Sequence, residues 1–202
     1  MIFDPPLTFC CEELKNLMSK LTIDDIRDRF ESSKEFNEIF DAFEQAIEQH
    51  LDDIELYRQL FWNHALKPEE LCLFGEKLAK EFSHIGYDVY MWLASVFEAT
   101  HSVYDNYDLA LRYYKKAADA KPNESTPYIN AANCYEPDLN IPSLNSLIDF
   151  LKRGANIIPE SKLIHQKLAH LYEIAGNDEM SKYYKRKAEE GAPSAPDQPP
   201  EQ

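Results

Sequence analysis

The chain has 202 residues, of which 44% are hydrophobic and 12% aromatic, and only 5 are glycine. This supply of apolar side chains supports a packed core and excludes a globally disordered chain. The formal net charge is −15. Because an acidic surface repels phosphates and anionic lipid, nucleic acid and membrane are disfavoured as partners, and a neutral or basic protein is favoured. The alternative is that the charge only keeps the protein in solution.

The cysteines and the N-terminus bear on the cellular compartment. Cys10, Cys11, Cys72 and Cys134 form neither a CxxC pair nor a disulfide framework, so free thiols in a reducing compartment are predicted. No basic segment followed by an apolar run opens the chain, and no apolar stretch has the length of a bilayer. These features predict a cytoplasmic protein.

The first third of the chain is predicted to be helical after an extended segment at 1–9. A short helix is expected over 10–20, and Thr22 with Asp25 resembles a shortened capping box for a second helix. Apolar residues recur at helical spacing over 34–50. Asp52 or Asp53 is placed to cap the next helix.

The rest of the chain also shows helical periods and almost no alternating strand pattern. Pro68 suits the first position of a helix, Gly86 is expected in the following turn, and residues 87–101 are apolar nearly all round. Later helices are expected to begin near Ser125 and Ser143, and the insertion between them contains two prolines. The segment 191–202 is rich in proline and is predicted to be a disordered tail.

Four positions in the stretch from Asn106 to Asn123 point to a known family. Ala110, Tyr114, Ala117 and Pro122 resemble the second helix of a tetratricopeptide repeat (TPR), in which small, aromatic, small and proline residues recur at this spacing. Small residues recur in the register of Ala117 at Ala46, Ala79, Gly154 and Ala188. The resemblance is specific over about 88–193 and loose over about 34–87.

The resemblance implies an all-α fold, an α-solenoid of stacked antiparallel helix pairs with about 10–11 helices. Residues 10–87 are interpreted as degenerate repeats, continuous with three clearer repeats over 88–190.

Motifs for catalysis are absent from the sequence: there is no HExxH, Walker loop, GxGxxG or GxSxG. His165 and His170 are five residues apart, which places them on different helix faces and disfavours metal chelation. Paired carboxylates such as Asp24 and Asp25 lie at predicted helix starts, where the helix dipole explains them. No enzyme activity, metal or cofactor is therefore predicted.

In the TPR family, the first helix of each repeat lines a concave groove that takes a peptide or a partner helix. Carried onto this chain, the resemblance implies that the groove is lined by Tyr90, Leu93, Phe97, His101, Asn130, Asn133, Gln166 and His170. The apolar members have an alternative role in the core between repeats, and the two asparagines an alternative as plain solvent-facing residues. Leu93, Ala132 and Gln166 stand where lysine is expected in repeats that clamp a carboxylate, which argues against that subtype.

The sequence thus predicts a non-catalytic module for protein–protein interaction, acting as an adaptor, scaffold or chaperone-like protein. Two alternatives remain: a self-assembling structural protein, or a regulatory subunit of an enzyme complex. A polar outer face on the last helix, formed by Ser181, Lys182, Lys185, Arg186 and Glu189, favours a closed end over filament growth.

Overall fold

The structure, a computed structural model, describes residues 20–100 and 105–190. Within that part the chain forms ten α-helices and no strand, which confirms the all-α prediction. The helix predicted over 10–20, His101 and the tail at 191–202 lie outside the described residues. The helices are α1 (Ile23–Ser32), α2 (Phe36–Glu48), α3 (Ile54–Phe61), α4 (Pro68–Glu81), α5 (Gly86–Ala99), α6 (Asp105–Ala120), α7 (Thr126–Ala131), α8 (Leu144–Ile157), α9 (Lys162–Ile174) and α10 (Asp178–Glu190).

The chain divides into two compact units, unit 1 (Met1–Ala65) and unit 2 (Leu66–Gln202). The predicted border at 87/88 falls within α5 of unit 2, and the division into degenerate and clearer repeats stays a prediction.

Local sequence signals set several helix starts. The Thr22 hydroxyl accepts a hydrogen bond from the Asp25 amide, and the Asp25 carboxylate accepts one from the Thr22 amide, so the predicted capping box is confirmed. The Asp53 carboxylate accepts from the Glu55 amide at 3.0 Å and caps α3. Pro68 is the first residue of α4, where the missing N–H costs nothing.

In unit 1, α1 packs against both α2 and α3. Tyr57 of α3 is fully buried, with its ring 5.9 Å from that of Phe30 and 6.0 Å from that of Phe43. Asn63 closes the end of α1: its side-chain N–H group donates to the carbonyl oxygens of Phe30 at 2.9 Å and Ser33 at 3.0 Å. This buried amide therefore satisfies carbonyl groups that the helix end leaves unpaired.

Unit 2 is a stack of antiparallel helix pairs, α5–α6, α7–α8 and α9–α10, with α4 packed on α5. Each helix contacts its sequence neighbours, and α7 also contacts α9. This neighbour-on-neighbour packing is the arrangement of an α-solenoid and confirms the predicted fold class for this unit.

One detail of the prediction is wrong. Gly86 is not in a turn but is the first residue of α5, with φ −56°, because a short 3₁₀ segment over Ser83–Ile85 makes the reversal instead. The predicted insertion before α8 is an ordered loop, in which the backbones of Glu136 and Ile141 exchange hydrogen bonds.

The small residues of the predicted register are all buried: Ala46, Ala79, Ala117, Gly154 and Ala188. Gly154 shows the reason most directly. A Cβ atom built there would lie 2.6 Å from Cδ1 of Tyr128, so the ring of α7 occupies the space that a larger side chain on α8 would need. Close helix approach therefore requires a small residue at this position.

Candidate functional site

The helix α5 carries three of the predicted groove residues, and two of them belong to the core. Leu93 is 0% and Phe97 1% exposed. Leu93 lies against Gly75 of α4, and the Phe97 ring stacks on Tyr113 of α6 at 5.7 Å. The assignment of these two residues to a binding surface is wrong, and the alternative of a core role holds.

Tyr90 is half-buried but points toward a cluster on α4 and α6. Its ring lies 6.1 Å from that of Tyr113, and the Lys116 ammonium sits 5.4 Å from its centre. Lys116 also bonds to the Glu76 carboxylate, which accepts a further hydrogen bond from the Tyr113 hydroxyl at 3.2 Å. Tyr90 is thus part of a cross-link between helices.

The Glu76 carboxylate stays charged in this cluster. Burial alone would raise the pKa of Glu76, but the hydrogen bond and attraction of Lys116, with hydrogen bonds from Tyr113 and Arg112, outweigh burial and hold that pKa below its usual value. The cluster is therefore an ion pair between Glu76 and Lys116, with the rings of Tyr90 and Tyr113 beside the Lys116 ammonium.

Two contacts place α5 and α7 side by side. Near the start of both helices, the hydroxyl of Thr126 lies close enough to Tyr87 to act on the pKa of its phenol. Near their ends, the Glu98 carboxylate accepts a hydrogen bond of 2.5 Å from the Tyr114 hydroxyl and lies close enough to act on the Cys134 thiol. The two helices therefore run in the same direction, each forming the first helix of its pair.

The next neighbour along the stack is α9. The Lys167 ammonium donates a 2.7 Å hydrogen bond to the side-chain oxygen of Asn133, which joins α9 to the turn that follows α7 at the exposed surface. Of the predicted residues, Asn130 is half-exposed, and Asn133, Gln166 and His170 are exposed. Asn130 lies on α7, Asn133 lies just after its end, and Gln166 and His170 lie on α9, so their role in a common groove stays a prediction.

The helix α9 presents one continuous uncovered stripe. Leu163, Gln166, Lys167, His170 and Ile174 follow the spacing i, i+3, i+4, i+7, i+11, which places them on one face. Two of them are large apolar residues at the ends of the stripe: Leu163 is 54% and Ile174 39% exposed. Exposed apolar side chains of this size are available as anchors for a contact with another protein.

On α5, Met91 and Ser95 are half-exposed and lie on the side of the helix opposite the buried Leu93 and Phe97. We name the combined surface of unit 2 the A face, formed by Met91, Ser95, Asn130, Asn133, Leu163, Gln166, Lys167, His170 and Ile174. The sequence analysis missed Met91 and Ser95 because α5 is apolar nearly all round, so its period does not show which side is open. The small residue Ala94, also buried, was the signal that fixes this side.

Other groups with chemical potential are held in unreactive settings. The Cys134 thiol is buried, and burial, with the nearby charge of Glu98, raises its pKa, so it remains a neutral thiol. Within residues 20–100 and 105–190, no group of three or more His, Cys, Asp or Glu side chains is placed to hold a metal ion. None of the helices in this part has the length and apolar character to cross a membrane.

No protein family model matches the chain, and no curated protein matches it. Among solved structures, the chain is similar to MamA. A crystal structure of MamA shares 16% identity over 84% of this chain and 89% of that chain, with a TM-score of 0.49. MamA from Desulfovibrio magneticus RS-1 shares 17% identity over 83% and 92%, with a TM-score of 0.47, and MamA MSR-1 shares 20% over 83% and 92%, with a TM-score of 0.44. At these values the similarity carries no argument about family or function.

Proposed function

We propose that unit 2 is a binding module that holds a segment of another protein on the A face. The observation that carries this proposal is the stripe on α9, where Leu163 and Ile174 are exposed at either end of three polar side chains. A protein partner is the class of ligand that uses such a surface, because apolar anchors supply affinity and amides satisfy the polar groups of a bound chain.

The amides on the A face suit a backbone ligand. Asn133 and Gln166 each offer a donor and an acceptor, which is what an extended segment or the end of a helix requires. The Lys167 ammonium is held by an amide oxygen rather than by a carboxylate, so its charge is not neutralised there. With a net charge of −15 on the chain, the partner is expected to be neutral or basic overall.

The test is a pair of matched charge substitutions at exposed apolar residues. The A-face variant combines Leu163→Asp with Ile174→Asp, and the control is Leu73→Asp on α4, where Leu73 is 48% exposed and lies outside the A face. All three sites are exposed, so both variants are expected to fold. Proteins retained from the native lysate are identified, and the affinity of each for purified protein is then measured by calorimetry.

A partner on the A face loses at least about tenfold in affinity in the double variant, since each anchor contributes on the order of 1 kcal/mol or more. The control keeps the wild-type affinity. Equal binding by the double variant and the wild type contradicts the proposal. If the only protein retained is the chain itself, the alternative of self-assembly takes its place.

A further inference from the structure

The two apolar residues of the stripe on α9 set a distance that a bound segment has to match. Leu163 and Ile174 are both exposed, and they lie eleven positions apart on one face of the helix. At a rise of about 1.5 Å per residue, they are about 16 Å apart along the axis of α9. A segment that contacts both residues therefore needs two apolar side chains at this distance that point in the same direction.

Extended segments match this distance poorly. A β-strand advances about 3.3 Å per residue, so about 16 Å corresponds to about five residues, and residues five apart point to opposite sides of a strand. The polyproline II helix repeats every three residues at about 3.1 Å each, so its equivalent side chains lie about 9 or 19 Å apart. Neither regular extended form brings its two side chains into line with Leu163 and Ile174.

An α-helix matches the distance directly. Residues eleven apart in a helix are about three turns apart, lie on one face and have the same rise as the two apolar residues of α9. Two helices that pack with their axes within about 20° of each other keep such residues in contact over several turns. The spacing of the stripe therefore favours a helix as the bound segment.

The residues between the two apolar ones add a requirement on charge. The stripe carries Gln166, Lys167 and His170 there. The Lys167 ammonium is bonded to the amide oxygen of Asn133, and no carboxylate of residues 20–100 and 105–190 forms an ion pair with it. A carboxylate on the bound segment would form a charge-assisted hydrogen bond at this position, about one turn from the contact with Leu163.

We propose that the segment held on the A face is an amphipathic helix with two apolar side chains eleven residues apart and a carboxylate between them. This inference rests on the proposed function and makes its partner more specific. The apolar pair contacts Leu163 and Ile174, and the carboxylate pairs with Lys167. One carboxylate in the contact is compatible with a partner that is neutral or basic overall.

The test is a selection from a phage library that displays random peptides of about twenty residues, long enough for a helix of about 30 Å. The full chain is the target. Peptides that also bind the double variant of Leu163→Asp and Ile174→Asp are removed, so the retained peptides depend on the stripe. Apolar residues at i and i+11 with an acidic residue between them are the expected pattern. Alternating apolar residues, no common spacing, or no retained peptide overturns the proposal.

This outcome is separate from that of the proposed function. A protein from the native lysate that loses affinity in the same double variant supports binding on the A face, even where the library overturns the helix. A retained peptide is also synthesised with proline at its centre. Because proline breaks a helix, this change is expected to abolish binding, and an unchanged affinity overturns the helical conformation.

The pairing with Lys167 is tested by a double-mutant cycle on the retained peptide. The acidic residue of the peptide is changed to its amide, and affinities are measured by fluorescence polarisation for the wild type, Lys167→Gln and Lys162→Gln. The control residue, Lys162, is exposed on α9 outside the stripe. Loss of the carboxylate is expected to lower affinity about fivefold for the wild type and the control, and to have no effect in Lys167→Gln. An equal loss in all three proteins overturns the pairing.

Discussion

The close contact between Gly154 and Tyr128 predicts that Gly154→Ala destabilises unit 2, although alanine is the better helix former. The new methyl group would lie 2.6 Å from Cδ1 and 2.7 Å from Cγ of the ring, whereas ordinary contact begins at 3.4 Å. The ring must therefore withdraw by about 0.8 Å in a close-packed interior. Tyr128 is fully buried and its ring lies 4.8 Å from that of Phe150, so it has little room to move.

Two opposing terms set the magnitude. Replacing glycine by alanine inside a helix gains about 1 kcal/mol of helix propensity. Overpacking a core costs about 1–3 kcal/mol. The net expectation for Gly154→Ala is a loss of about 1 kcal/mol in the free energy of unfolding.

Gly86→Ala provides the matched control. A Cβ at Gly86 meets only Ala79, at 3.7 Å or more, and the residue already has a helical φ of −56°. This variant is expected to be more stable than the wild type by about 0.5 kcal/mol. Gly154→Ala should thus lower the free energy of unfolding and Gly86→Ala should raise it, so that the two variants differ by about 1.5 kcal/mol.

Urea denaturation followed by far-ultraviolet circular dichroism and by tyrosine fluorescence measures the difference. With a slope of about 1–3 kcal/mol per molar urea, the midpoints of the two variants should lie about 0.5–1.5 M apart. Combining Gly154→Ala with Tyr128→Leu removes the ring and should recover the propensity gain. A Gly154→Ala variant that is as stable as the wild type, with the tyrosine in place, would falsify the packing argument.

Two further predictions concern buried polar groups. Asn63→Ala leaves two helix-end carbonyl groups of unit 1 without their donor, so the free energy of unfolding should fall by about 1–3 kcal/mol in chemical denaturation; an unchanged value would contradict the role of this amide. Burial and the charge of Lys187 lower the pKa of His165. The unfolded chain then binds more protons as pH falls below about 6.5, so stability should decrease from pH 7 toward pH 5, and His165→Gln should weaken that decrease in thermal unfolding scans at stepped pH.

Local signals in the sequence predicted where several of the helices begin. Thr22 and Asp25 form a capping box, Asp53 caps α3, and Pro68 is the first residue of α4. Each of these signals acts on residues only a few positions away, so a short stretch of sequence is enough to predict it. The register of small residues also predicted the helix contacts at Ala117 and Gly154, because close approach of two helices leaves a constraint on side-chain size.

The orientation of the helices was harder to predict. On α5, apolar residues surround the whole helix, so only packing against α4 and α6 shows that Leu93 and Phe97 point inward. Ser181 was predicted on the outer face of α10, but it is 3% exposed and faces the core, since its small size suits the contact with α9. The hydrogen bond between the side chains of Lys167 and Asn133 joins residues 34 positions apart, so no local sequence pattern predicts it.

Two ion pairs in unit 2 join helices that are not neighbours in the sequence. Glu76 of α4 binds Lys116 of α6, and Asp119 of α6 binds Arg153 of α8 at 2.5 Å, all at or near the solvent. The first ion pair joins α4 to α6 and the second joins α6 to α8, whereas the apolar core of unit 2 is buried. Because exposed ion pairs weaken with salt and apolar burial does not, raising the ionic strength is expected to weaken these two links between helices while the apolar contacts of the core remain.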